Sequence, residues 1–192
     1  DNGDQLVGIR FDNIDISESA TVLRAYIQFS VDEVIIVSNV PAPQPTTNLV
    51  IQGELSPDSN TFSNSNKIST RTLTTNSTSW DDIGDWLVVD LEGFHQKTPD
   101  LSDEINEIFA QPGWVQGNSV TFIISGAGKR YANAYEDDNP PILVVVVDTD
   151  CPLGNIELGA TVICDPMNDT YSQDIIVTYQ NPPLTGTLDV NG

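Results

Sequence analysis

A period of two constrains this chain more than any other feature. Between Val22 and Val31, Leu23, Ala25, Ile27, Phe29 and Val31 are predicted to point one way, and Arg24, Tyr26, Gln28 and Ser30 the other. That alternation marks a half-buried antiparallel strand. Residues 6–11, 49–54, 86–91, 119–125 and 130–135 read as further strands. The run Ile142-Leu143-Val144-Val145-Val146-Val147 has no polar face, which predicts a central strand covered on both sides. Turn-rich stretches at 41–45, 56–60 and 137–141 separate these runs.

One helix interrupts the pattern. Thr98 is its expected N-cap, with Pro99 at the first helical position and Asp100 and Asp103 in the positive first turn. Leu101, Ile105, Ile108 and Phe109 form one apolar stripe, and Pro112-Gly113 stops it, with Trp114 expected to pack beneath. Many short strands and one short helix predict an all-β fold, a jelly-roll β-sandwich over residues 1–148. Composition shifts beyond it. Residues 149–192 offer a strand around Ile156, another at 174–179 and a third at 187–190, too few to close a core alone. This stretch reads as a partial immunoglobulin-like β module.

Charge narrows the function. The 192 residues carry 28 acidic side chains against 7 Lys and Arg, a net charge of −21. Such a surface repels phosphate backbones and anionic headgroups, and the scattered cations form no basic stripe, so nucleic acid is excluded as a partner. Membrane insertion is excluded as well, since no apolar run approaches the roughly 20 residues that span a bilayer. Abundant Ser, Thr and Asn, few Lys and two cysteines predict a secreted, extracellular or cell-surface protein. Asp1 stands where an initiator methionine would, so a processed or excised segment is expected.

Short blocks in a fixed order carry a resemblance. They include Val7-Gly8-Ile9-Arg10-Phe11, Ala25-Tyr26-Ile27-Gln28-Phe29, Ile51-Gln52-Gly53-Glu54, Ser79-Trp80 with Trp86, Gly113-Trp114 and Gly126-Ala127-Gly128-Lys129-Arg130-Tyr131-Ala132. Through most of residues 1–147 the chain resembles a jelly-roll module of secreted multidomain bacterial proteins, related to non-catalytic carbohydrate-binding modules. The tail, Asp150-Cys151-Pro152-Leu153-Gly154 onward, resembles the opening strands of bacterial immunoglobulin-like repeats. The resemblance implies surface attachment or glycan handling. It also implies a further strand before Val7 and a second module continuing past Gly192. The missing strands are expected from neighbouring copies, by strand addition, or from the rest of a larger chain.

Catalytic patterns are poorly represented. His95 is a lone loop histidine without a Gly-x-Ser-x-Gly elbow, and Gly126-Ala127-Gly128-Lys129 departs from a phosphate loop because Ile123 and Arg130 occupy its defining positions. The chain is therefore expected to be no enzyme. Cys151 and Cys164 suit a local disulfide in an oxidising compartment, or other partners in the remainder of the module. Clustered oxygen donors suit calcium, and Asp32, Glu33, Glu136, Asp137 and Asp138 are the candidate ligands of one structural ion, against a merely solvated acidic face. Trp80, Tyr131 and Tyr135 are candidate stacking surfaces for a sugar, while Trp86 and Trp114 read as core. The leading expectation is a non-catalytic structural or adhesive segment that assembles by strand-edge complementation into a surface or extracellular fibre. The alternative is a carbohydrate-binding module of a larger secreted adhesin or polysaccharide-processing protein, with extracellular polysaccharide as partner.

Overall fold

The computed structural model of the chain describes residues 6–148 in full and, beyond them, the backbone of strands at 153–161 and 173–179. It divides into two units, Asp1–Asp148 and Thr149–Gly192. In the first, the strands are β1 (Val7–Phe11), β2 (Thr21–Gln28), β3 (Ile36–Val37), β4 (Val40–Pro41), β5 (Asn48–Gly53), β6 (Thr78–Trp80), β7 (Val120–Ala127) and β8 (Ile142–Asp148), with one helix, α1 (Ser102–Phe109), between β6 and β7. Every pairing is antiparallel. One sheet has the order β1-β7-β5-β6, a second consists of β2 and β8, and β3 and β4 form a small hairpin. In the second unit, β9 (Leu153–Thr161) and β10 (Gln173–Tyr179) pair antiparallel. The expected strand at 187–190 lies outside the described residues.

The all-β character with one short helix is present, and four local expectations need correction. The strand covered on both faces is β7, whose residues from Val120 to Ile124 are all buried. Among the described residues, β8 instead pairs only with β2, and it leaves Ile142 and Val146 exposed. Valine favours extended backbone on an open edge as readily as in a core, so an unbroken apolar run does not by itself report burial. Residues 86–91 and 130–135 form no strand. Trp86 alone of the first stretch is buried, and the second contributes one isolated bridge, Val31 to Ala132.

The third correction lies in β2. Its ladder slips between Val22 and Arg24, which face Val147 and Val146. The extra residue, Leu23, is squeezed outward and exposed while Val22 turns in. The inward set is therefore Val22, Ala25, Ile27, Phe29 and Val31. These pack in one core with Ile51, Trp80 and Trp86, with Val120 and Phe122 of β7, and with the apolar stripe of α1.

The fourth concerns the start of the helix. Thr98 does not cap it, because it is committed to the outer edge of β2, and Asp100 lies before α1 rather than in its first turn, its Oδ1 shared between that edge and the N–H of Ser102 at 3.1 Å. The Thr98 hydroxyl accepts from the Ile27 N–H at 3.0 Å, and Thr98 N–H donates to the Ile27 carbonyl at 3.0 Å. Asp100 Oδ1 accepts from Ala25 N–H at 2.9 Å, and Leu101 N–H donates to the Ala25 carbonyl at 2.8 Å. Asn106 of α1 completes the series, taking Val22 N–H at 3.0 Å and giving its amide to the Val22 carbonyl at 2.9 Å. Residues 96–106 thus behave as a strap that supplies alternately backbone and side-chain partners. Helix α1 holds it down through Ile105, Ile108 and Phe109, each of whose burial contributes about 1.5–3 kcal/mol. Ile108 packs where a side chain on Gly53 would stand, since a Cβ there would meet Ile108 Cδ1 at 2.7 Å. Trp114 stacks on Phe109 with ring centroids 4.1 Å apart.

Candidate assembly edge

A sheet edge offers unpaired N–H and C=O groups, and proteins blunt such edges by shortness, by charge or by cover. β6 is only three residues long. β1 carries Arg10, whose guanidinium donates to the Ser59 carbonyl at 2.7 Å and the Ser119 hydroxyl at 2.9 Å and pairs with Asp12. The strap seals β2. β8 has none of these guards along Ile142–Val147, and among the described residues its only ladder partner is β2.

The direction of the free groups follows from the ladder. Val22, Ala25 and Ile27 turn their backbone groups toward the strap, so Arg24, Tyr26 and Gln28 turn theirs toward Val146, Val144 and Ile142 of β8. By the same alternation, the N–H and C=O groups of Leu143, Val145 and Val147 point away from β2. Their side chains pack against the core, leaving Ile142 and Val146, 53% and 47% exposed, on the outer face. This edge is long, uncharged and apolar.

The residues singled out for chemistry are scattered. Trp80 is a correction: it is only 8% exposed, stacked on Phe29 at 6.0 Å and 6.4 Å from Trp86. It ends β6 opposite Leu49, so the strand alternation turns its ring inward despite the polar residues around it. With Val7, Ile9, Phe29, Leu49 and Trp86 it lines a cleft of about 170 Å³. Tyr131 is half-buried with Lys129 Nζ 4.6 Å from its ring centre, whereas Tyr135 is 86% exposed. The three thus differ in exposure, from buried Trp80 to open Tyr135.

The acidic candidates are likewise separate. Asp32, Glu33, Glu136, Asp137 and Asp138 are all exposed. Asp137 turns a carboxylate oxygen back onto the N–H of Ala134, and the N–H of Asp32 is bonded to the Tyr131 carbonyl at 3.1 Å. Among the described residues, no three His, Cys, Asp or Glu side chains gather in a group able to hold a metal ion. Cys151 and Cys164 lie outside the described residues.

Sequence reasoning overlooked Arg130. Its guanidinium donates to the carbonyls of Gly84 and Pro45 at 3.0 Å each, to the Thr47 hydroxyl at 2.7 Å and to the Ile83 carbonyl, tying three loops together. Desolvation lowers its pKa, and the Asp85 carboxylate at 3.7 Å opposes that shift. Arg71 is employed similarly, on Glu54 and 4.5 Å from the centre of the Phe62 ring. The scarcity of cations was the available clue: a chain with 7 of them spends several on fixing its own loops.

In the strap, partial desolvation pulls the Asp100 carboxyl upward. The N–H groups of Ala25 and Ser102 and the nearby charge of Arg24 outweigh it and hold the group below the ordinary aspartate range. Among the described residues, no helix is long and apolar enough to cross a membrane. Comparison of the chain with known protein families, with curated proteins and with solved structures gave no match.

Proposed function

We propose that this chain is a non-catalytic extracellular structural segment, in which a jelly-roll sandwich and a partial immunoglobulin-like module join into a surface fibre by strand addition. The open edge of β8 carries this reading: seven residues paired on one side, free of Lys, Arg and Pro, with outward backbone groups at Leu143, Val145 and Val147. A second strand laid against it satisfies those groups and covers part of the row's apolar surface. The sealed edge of β2 supports it further, because it leaves that sheet a single side on which to grow.

Sedimentation velocity and negative-stain imaging over a concentration series test the proposal. Wild-type chain is expected to form linear oligomers. Val145→Pro removes an outward N–H without touching the β2 ladder, and Val146→Lys places a charge on the exposed face. Both variants are expected to remain monomeric with native tryptophan emission. A wild type that stays monomeric at high concentration, or a Val145→Pro variant that assembles like it, overturns the proposal. Monomers that bind a glycan array would favour the carbohydrate-binding alternative.

A further inference from the structure

Helix α1 is fastened to the loop before β6 by its carboxylates. Glu107 accepts from the N–H groups of Thr75 at 2.7 Å and Asn76 at 2.9 Å. Glu104 faces inward and is 1% exposed. Its Oε1 lies 2.8 Å from the Thr78 hydroxyl, which is also 3.1 Å from the Asp100 carbonyl, while its Oε2 has no hydrogen-bond partner.

Counting hydrogens decides the protonation. A threonine hydroxyl has one hydrogen to give and two lone pairs to receive with. With Glu104 ionised, Thr78 must choose between the carboxylate and the Asp100 carbonyl, and a charged oxygen is left buried and unpaired, which is costly. With Glu104 protonated, its O–H donates to Thr78 and Thr78 donates to Asp100, so the chain closes. The charged surroundings point the same way. Asp100 and Asp103 flank Glu104 on its own segment, and Glu107 follows one turn later. β6 presents only Thr78, β5 has no titratable residue, and Arg24 of β2 acts on Asp100. Among the described residues, no cation pairs with Glu104.

We infer that Glu104 is a proton-held latch: its carboxyl keeps a proton in the folded unit where exposed glutamates are ionised, and losing that proton loosens α1 and its strap from the edge of β2. Burial raises the Glu104 pKa above the ordinary value of 4.5, the Thr78 hydroxyl and the residue's own backbone N–H oppose this, and the neighbouring aspartates add to the rise. A raised folded pKa fixes the sign. The latch contributes fully below the unfolded pKa and is lost as pH rises through the folded one. Raising the pH through that folded value therefore loosens the cover of the β2 edge.

Two measurements test this. Carbon-detected titration of wild-type side-chain carboxyls is expected to place the Glu104 midpoint above those of the exposed glutamates. Hydrogen exchange at the amides of Ala25, Ile27 and Leu101, corrected for intrinsic rates, is expected to lose protection as the pH rises above the ordinary glutamate value of 4.5 and through the Glu104 midpoint found in that titration. In Glu104→Gln, whose amide mimics the protonated acid, that loss should vanish. A Glu104 midpoint at or below those of the other glutamates overturns the inference, as does a Glu104→Gln variant with the wild-type pH dependence. If Glu104→Gln does not fold, the wild-type titration decides alone.

Discussion

Replacing Asn106 by Ala removes a clamp whose energy can be worked out bond by bond. The amide makes two hydrogen bonds with Val22, at 3.0 and 2.9 Å, and Val22 is buried. Each bond contributes about 0.5–1.5 kcal/mol net, and a buried group left unpaired costs about 1–3 kcal/mol. Water reaching the half-buried site of Asn106 recovers part of that loss. Ala is the better helix former, which returns about 0.6 kcal/mol. The balance is a destabilisation of about 2 kcal/mol, or roughly 4–8 °C in melting temperature for a unit of this size. Tryptophan emission in a urea titration reads the unit cleanly, because all 3 tryptophans, Trp80, Trp86 and Trp114, are buried within it. Asn106→Asp keeps the acceptor for the Val22 N–H but faces the Val22 carbonyl with a carboxylate, so it should lose at least as much. A loss below about 0.5 kcal/mol in Asn106→Ala would show that the strap does not seal β2 through this residue.

Four other outcomes are expected. Arg130→Lys keeps the charge but cannot reach the carbonyls of Ile83, Gly84 and Pro45 together, and should cost about 2–3 kcal/mol in the same assay. Gly126→Ala should abolish soluble folded protein, read by circular dichroism after expression, because φ is +129° and the new Cβ would stand 2.3 Å from the Asn48 carbonyl oxygen. Trp80→Ala should cost about 3–5 kcal/mol by urea denaturation, as removal of a packed aromatic does, whereas a surface contact would leave stability unchanged. The Asp100 contribution is complete above the unfolded value of 3.8 and is lost as pH falls through the lower folded one. Wild type should therefore weaken on acidification below about pH 4, and Asp100→Asn should weaken less over the same range in pH-dependent melting.

Strand periodicity made the coarse fold legible. β1, β2, β5 and β7 fall where alternating or apolar runs predict them, because each buries one face or both. Three features were hidden for identifiable reasons. The bulge at Leu23 shifts the register by one residue, and nothing in a Leu-Arg-Ala sequence announces a slip. Thr98 and Asp100 carry the usual signals of a helix start, yet the same oxygens satisfy β2, and a short-range signal cannot tell the two uses apart. Trp80 looked like a surface residue from its polar neighbours, but in a strand the neighbours along the chain lie on the opposite face. The open edge of β8 was unreadable for a related reason. Its composition fits a core strand equally well, and only the pairing order shows that one side has no partner among the described residues.

The way β8 is attached also governs how the first unit bears mechanical load. The chain leaves this unit at Asp148, whose rung is with Thr21, followed by Val147 with Val22 and then the slip around Leu23. Tension arriving from beyond Asp148 reaches those two rungs first and meets the bulge before the continuous ladder from Arg24 to Gln28. Stretching should thus fray a few residues reversibly before the remainder yields, so the irregularity serves as a short built-in slack between the pull and the core.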